Sequence, residues 1–235
     1  MSGLFITFEG GEGSGKTTQL KLLANRIRGS GTEVIDTQDP GGTAIGKEIR
    51  ALLLHAPLHT IGDRAGSSPI TATTELLLYE ASRAQLVQEL IAPALARGAI
   101  VLCDRFTDST LAYQGFGRGI DLHLIQQLNQ FSTDGLVPDL TILLDLDPRI
   151  GLMRRRSEGD IETATELSVG LSGWDRIESE PLDFHQRIRE GYLTLAREDP
   201  NRIFMIDACL SATEIEMVIW NQFINLRTRC GDAVS

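Results

Sequence analysis

Gly10-Gly11-Glu12-Gly13-Ser14-Gly15-Lys16-Thr17 is the stretch that decides the fold. It fits the phosphate-loop pattern G-x-x-x-x-G-K-[ST], and its flanks fit as well. Before it, Leu4-Phe5-Ile6-Thr7-Phe8 is an apolar, β-branched and aromatic run that reads as a buried strand. After it, Thr18 to Arg28 reads as a helix with Leu20, Leu23, Ala24 and Ile27 on one face and Gly29 as its stop. Strand, glycine loop and helix start gather backbone N–H groups around one point, where the helix dipole favours an anion. Lys16 adds a positive charge toward the β- and γ-phosphates of a bound nucleotide, and Thr17 offers a hydroxyl to Mg²⁺. Gly10 through Thr18 are therefore the candidate residues for binding the phosphates of the donor nucleotide, with Lys16 also a catalytic candidate.

Working outward, Glu33–Thr37 reads as a second strand that runs into the polar turn Gln38-Asp39-Pro40-Gly41-Gly42. Ile45, Ile49, Leu52 and Leu53 recur at helical spacing, with Arg50 on another face. Residues 55–71 read as a mobile loop. A long helix follows from about Thr73 to Ala92, which Pro93 kinks rather than ends. Tyr79 and Arg83 share one of its faces. Ala99–Cys103 is a third strand, delivering Asp104-Arg105 at the carboxyl end, where ligands of open α/β sheets gather. Ser109–Gly119 is polar, aromatic and glycine-rich. Asp121 caps a helix, Asp139–Asp145 is a fourth strand, and Asp147-Pro148 opens another helix. Met153–Pro181 is the least regular segment. Arg202–Ile206 is a fifth strand, and Ser211-Ala212-Thr213-Glu214 is a capping box for the last helix. The tail from 227 onward is expected to fray.

The order β-α-β-α-α-β-α-α-β-α-α-β-α implies an α/β fold with a parallel sheet and helices on both faces. At 235 residues the simplest division is one domain, 1–235, with excursions at about 38–80 and 150–180 overhanging the phosphate site. A net charge of −10 argues against a general nucleic-acid binder, which needs a basic face. No stretch approaches the roughly twenty apolar residues of a membrane helix. The chain enters a strand at once, which leaves no room for a signal peptide. Cys103, Cys209 and Cys230 are few, odd in number and not at metal spacing, so a reduced, cytoplasmic setting is expected. The four histidines show no metal spacing either.

Four further stretches resemble bacterial thymidylate kinases, which phosphorylate dTMP to dTDP. They are Asp39-Pro40-Gly41-Gly42-Thr43, Tyr79-Glu80-Ala81-Ser82-Arg83, the run from Asp104 to Gly115, and Asp175-Arg176-Ile177-Glu178-Ser179-Glu180. Asp104-Arg105 followed by Ala112-Tyr113-Gln114-Gly115 is the most specific. The resemblance runs from Phe5 to about Asp207. It implies a phosphate-loop kinase with a five-stranded parallel sheet, a mobile lid at about 150–180, MgATP as donor and a homodimer.

Carried over by position, the resemblance implies that Arg50 and Arg105 hold the dTMP phosphate and that Tyr79 stacks on thymine. Arg83, Thr110 and Gln114 read the base edge. Glu12 meets the sugar 3′-hydroxyl, and Tyr113 crowds the 2′ position. Asp104 and Asp39 organise Mg²⁺, waters and the acceptor side, with Thr17 and Asp104 the metal candidates. These residue types suit the task, because phosphoryl transfer needs in-line positioning and positive charge more than covalent chemistry. The phosphate loop carries no arginine, so Arg154 and Arg176 are the candidates to close on ATP, ahead of Arg155 and Arg156. Catalytic candidates are thus Lys16, Asp104, Arg105, Arg154 and Arg176. The chain departs from the family at Gln38, where an arginine is common, in a long 55–71 connection, and in an insertion at Ser157–Trp174. Two rival readings are a kinase of another nucleoside monophosphate and a GTPase-type switch. The second lacks an Asn-Lys-x-Asp guanine reader.

Overall fold

The computed structural model describes residues 3–55, 70–162, 176–229 and 231; the side chains of 55 and 156–162 are outside that description. The 55–71 loop for the most part, the Ser157–Trp174 insertion from 163 on and the end of the tail fall outside the described residues. Five strands form one parallel sheet: β1 (Leu4–Glu9), β2 (Val34–Gln38), β3 (Ile100–Asp104), β4 (Leu140–Asp145) and β5 (Ile203–Asp207). Their order is β2-β3-β1-β4-β5, so the strand before the phosphate loop is central. Gln38 and Phe8 both pair in register with Asp104, which brings three carboxyl ends level on one rim. β1 is buried along its whole length, as the apolar residues Leu4, Phe5, Ile6 and Phe8 lead one to expect of a central strand.

On one face lie α1 (Lys16–Arg28) and α9 (Ala212–Arg229), around a core that includes Leu20, Leu23, Ile27, Ile219 and Phe223. The capping box forms: Ser211 N–H donates to Glu214 at 2.9 Å. On the other face stand α3 (Ala72–Leu86), a π-helical stretch Val87–Ile91 and α4 (Ala92–Ala96). The expected helix 73–92 therefore continues past Pro93. A widened turn directly before the proline accommodates a ring that an ordinary preceding turn would exclude.

The glycine-rich stretch after β3 is helical too: α5 (Thr107–Thr110) passes into a second π-helical stretch, Leu111–Gly117. α6 (Leu122–Thr133) follows, with the Asp121 carboxylate accepting from Leu124 N–H at 2.9 Å. α7 (Pro148–Glu162) corrects the expectation of irregularity from Met153: the backbone stays helical to Glu162, because a helix can continue without a sustained apolar period. α8 (Leu182–Glu198) packs Phe184, Ile188 and Tyr192 against the second π-helical stretch. α2 (Ala44–His55) departs from its simple amphipathic reading: Leu53 is buried, but Ile45 and Leu52 are more than half exposed.

Candidate active site

The loop between β1 and α1 is held open by backbone that only glycine permits. Gly13 and Gly15 have φ of 65° and 91°. A Cβ on Gly13 would come within 2.3 Å of the Gly151 carbonyl, because α7 crosses directly behind the loop. Gly15 instead faces open space and caps α1, whose first N–H groups are left for a ligand. Lys16 folds back over the loop, donating to Gly11 O at 2.8 Å. It is nearly buried, and that burial, with the nearby Arg105 charge, lowers its pKa to about 8.

A cleft of about 1020 Å³ opens above this loop, lined by Glu12 to Thr18, Gln38, Asp104 and Arg155 among others. Gly10 and Gly11 lie under it: the Gly10 carbonyl accepts from Arg105 Nη1 at 3.0 Å. On its floor the Thr17 hydroxyl donates to Asp104 Oδ2 at 2.6 Å. Asp39 adds a third hard oxygen: its Oδ1 is buried and has no hydrogen-bond partner among the described residues. A hydroxyl, a carboxylate and an unpartnered carboxylate oxygen beside a phosphate cradle suit Mg²⁺, which takes few protein ligands and keeps phosphate oxygens and waters.

A second cavity, about 530 Å³, adjoins the first. Glu12, Asp39, Arg50, Tyr79, Arg83, Arg105, Thr110, Tyr113 and Gln114 all line it, so every residue expected to touch the acceptor is brought to one place. Glu12, Asp39, Arg50 and Arg105 line both cavities and form the boundary between them. Arg105 has φ 70°, left-handed for a residue with a side chain. Its guanidinium donates to Glu12 at 2.7 Å and lies 4.8 Å from the Tyr113 ring centre. Tyr113 donates its hydroxyl to the same Glu12 oxygen at 2.6 Å. Burial alone would raise Glu12, but the charges of Arg105 and Lys16 and the tyrosine hydrogen bond hold it at about 2. Arg50 donates to Pro40 O at 3.1 Å and has no carboxylate at ion-pair distance among the described residues.

Arg83 is placed differently from a free base reader. Its five N–H groups already face Asp39, Glu80, Asn129, Phe106 O and Thr110, and it is 1 % exposed. It works as the tie that sets Asp39 and Thr110. Arg154 reaches Gly13 O and Ala208 O, each at 3.3 Å, beside the phosphate loop. Arg176 does not reach the loop; it lies 2.5 Å from Glu75 and donates to Leu53 O, on the acceptor side. Arg155, which the sequence ranked lower, lines the phosphate cleft and pairs with Glu178 at 2.7 Å.

Sequence reasoning missed Glu9. It is fully buried at the end of β1 and accepts from Phe106 N–H, the Ser109 hydroxyl and the Tyr192 hydroxyl at 2.8, 2.6 and 2.8 Å. Ser109 and Tyr192 each lie 3.3 Å from Arg105 Nη1, so Glu9 anchors the groups that flank that arginine. A carboxylate closing an otherwise apolar buried strand was the signal available.

A phosphate cradle on the central strand of a β2-β3-β1-β4-β5 parallel sheet, joined to a second polar cavity, defines a phosphate-loop kinase of the nucleoside monophosphate type. The thymidylate kinase family model matches residues 8–219. A thymidylate kinase of Synechococcus sp. (strain JA-3-3Ab) is 49% identical over 93% of this chain and 94% of its own. One from Gloeobacter violaceus is 51% identical over 88% of each. The crystal structure of thymidylate kinase from Ehrlichia chaffeensis superposes with a TM-score of 0.66 at 34% identity, covering 93% of this chain and 99% of that one. The chain belongs to the thymidylate kinase family.

Proposed function

We propose that the two cavities are the donor and acceptor halves of one phosphoryl-transfer site, meeting at Glu12, Asp39, Arg50 and Arg105. The reaction is that of a thymidylate kinase: the γ-phosphoryl of ATP passes to dTMP, giving dTDP. The observation that carries the division of labour is the shared boundary, where two arginines sit between a phosphate cradle and an aromatic-lined cavity. On this reading Lys16 and the N–H groups of Gly13 to Thr18 bind the ATP phosphates. Arg50 and Arg105 hold the dTMP phosphate in line, since a guanidinium fork matches phosphate geometry. Glu12, already tied to Arg105 and Tyr113, meets the 3′-hydroxyl, and the Tyr113 ring crowds the 2′ position. Tyr79 stacks on the base, Thr110 and Gln114 face its edge, and Arg83 holds that edge in shape.

Thr17 and Asp104, with Asp39 through water, would hold Mg²⁺. The bound ion would neutralise charge on the phosphate oxygens. Arg154 is the arginine nearest the loop from the α7 side and is assigned to the transferred phosphoryl, with Arg155 beside it. Arg176 is reassigned to the acceptor wall. Exposed Leu77 on α3, Leu124 and Phe131 on α6 and Ile45 and Leu52 on α2 favour a second copy of the chain as partner, a homodimer. No helix among the described residues is long and apolar enough to cross a membrane; a cytoplasmic site of action is proposed from the cysteine usage.

A coupled assay of ADP release with MgATP and a panel of monophosphates tests the reading. dTMP should be the best acceptor, dUMP weaker by roughly 10–200-fold for the missing methyl, and ribonucleotides poor. Equal turnover of dTMP, dCMP and dGMP would overturn the acceptor assignment.

A further inference from the structure

The base-facing end of the acceptor cavity has a polarity that the lining residues do not set by themselves. Gln114 lines that cavity from the second π-helical stretch and is 1 % exposed. A carboxamide can offer a ligand either its oxygen, an acceptor, or its nitrogen, a donor. What decides between them lies one layer back. Glu75, in the first turn of α3 and 1 % exposed, accepts from Gln114 Nε2 at 2.8 Å. An ionised carboxylate only accepts, so turning the amide round would set two oxygens against each other. Burial alone would raise the pKa of Glu75. The hydrogen bonds from Arg118 and Gln114 and the charges of Arg176 and Arg118 reverse this and hold its pKa below the ordinary carboxylate value.

The carboxylate is itself fixed in orientation. Arg118 Nε lies 3.2 Å from Oε1 and Arg118 Nη2 3.2 Å from Oε2. Arg176 Nη2 forms a second ion pair with the same oxygen, 2.5 Å from Oε2. Two arginines thus lock the group that locks the amide. With Nε2 turned toward Glu75, Gln114 Oε1 has no protein hydrogen bond among the described residues and is left for the cavity that Gln114 lines.

We propose that Glu75 is a specificity-positioning residue: by holding Gln114 Nε2 it presents Gln114 Oε1 to the acceptor base, selecting a base with a ring N–H on its pairing edge, as in thymine and uracil, over one with a bare ring nitrogen there, as in cytosine. The mismatch is a pair of acceptors facing each other, one desolvated and unpaired, which a polar site penalises far more than a missing methyl. The inference rests on the reading of this cavity as the dTMP site. Glu75 touches no substrate; it acts only through Gln114.

The test compares kcat/KM for dUMP and dCMP, which differ on the pairing edge and share the absent methyl, in wild type, Glu75→Gln, Glu75→Asp and the double variant Glu75→Gln/Gln114→Glu. In wild type dUMP should be strongly preferred; if it is not, the reading of the acceptor cavity has failed before Glu75 is in question. In Glu75→Gln the neighbour can donate or accept, Gln114 can turn, and the dUMP:dCMP ratio should fall by about tenfold or more, the equivalent of one hydrogen bond. The double variant reverses the hydrogen bond, with position 75 donating and position 114 accepting, and again leaves an oxygen in front, so the ratio should recover. Glu75→Asp keeps the charge facing Arg118 and Arg176 but withdraws it from Gln114; it covers the case in which the glutamine variant does not fold, and its ratio should also fall. A residue that merely braces the fold would lower melting temperature and both activities together. An unchanged ratio in the folded Glu75 variants, or a fallen ratio that the double variant leaves unrestored, overturns the proposal.

Discussion

The two halves of the site are built in opposite ways. On the proposed reading the donor half centres on one continuous stretch, Glu12 to Thr18, and works through backbone N–H groups, positive φ angles and one lysine. The acceptor half draws on residues as distant as Glu12, Arg50, Tyr79, Gln114 and Ile177. Its side chains are held by buried networks: Arg83 with Asp39 and Glu80, Glu75 with Arg118 and Arg176, Glu9 with Ser109 and Tyr192. Backbone geometry there is set locally by glycine, so replacing the Lys16 side chain should remove chemistry and leave the fold. An acceptor substitution also leaves a buried partner unpaired, and should disturb binding and stability together.

The largest effect expected from this contrast is at Lys16. Lys16→Ala should lower kcat by about 10²–10³-fold or more, as losing a preorganised positive donor does. Its melting temperature should shift by only a few degrees, because removing a lysine held below its usual pKa also removes a desolvation penalty. A folded variant with near-normal turnover breaks the donor assignment.

A smaller, two-part effect is expected at Tyr113, whose ring and hydroxyl do different work. Tyr113→Phe keeps the ring and loses the hydrogen bond to Glu12, so KM for dTMP should rise several-fold with the deoxyribose preference intact. Tyr113→Ala should in addition improve the ribose substrate relative to dTMP by about tenfold. If both variants discriminate like wild type, the ring does not guard the 2′ position.

The smallest effect is on stability and concerns Glu9. Burial first, then the Asp108 charge, pushes its pKa up from 4.5 to about 7. The folded state therefore holds a proton that the unfolded chain releases, and this contribution to stability is lost as pH rises from about 4.5 through 7. Glu9→Gln cannot titrate, so the melting temperature of the variant minus that of wild type should increase across that window. A difference that is flat or falls with pH would show that Glu9 is ionised throughout.

How much of this could be read from the chain follows the same division. The phosphate loop, its strand and its helix were readable because short-range periodicity and glycine spacing encode them. The strand count and element order followed from apolar runs between turns. The nine acceptor residues were named only through a family resemblance, since nothing local marks Arg50 or Tyr79 as sharing a cavity. What neither route revealed were the residues one layer back. Glu75 looks like an ordinary charged position in sequence, Glu9 is marked only by its place at the end of an apolar run, and the partners of both are brought in from distant parts of the chain. The placement of Arg176 was hidden for the same reason: its partner Glu75 lies about a hundred positions earlier.

The separation of the halves is tested most directly by titrating dTMP, without ATP, into wild type, Lys16→Ala and Arg50→Ala. Lys16→Ala should bind dTMP within about twofold of wild type. Arg50→Ala, lacking a charge-assisted contact worth roughly 1.5–3 kcal/mol, should bind about 10–100-fold more weakly. If Lys16→Ala loses dTMP binding while Arg50→Ala keeps it, the two cavities do not divide the substrates between them as described.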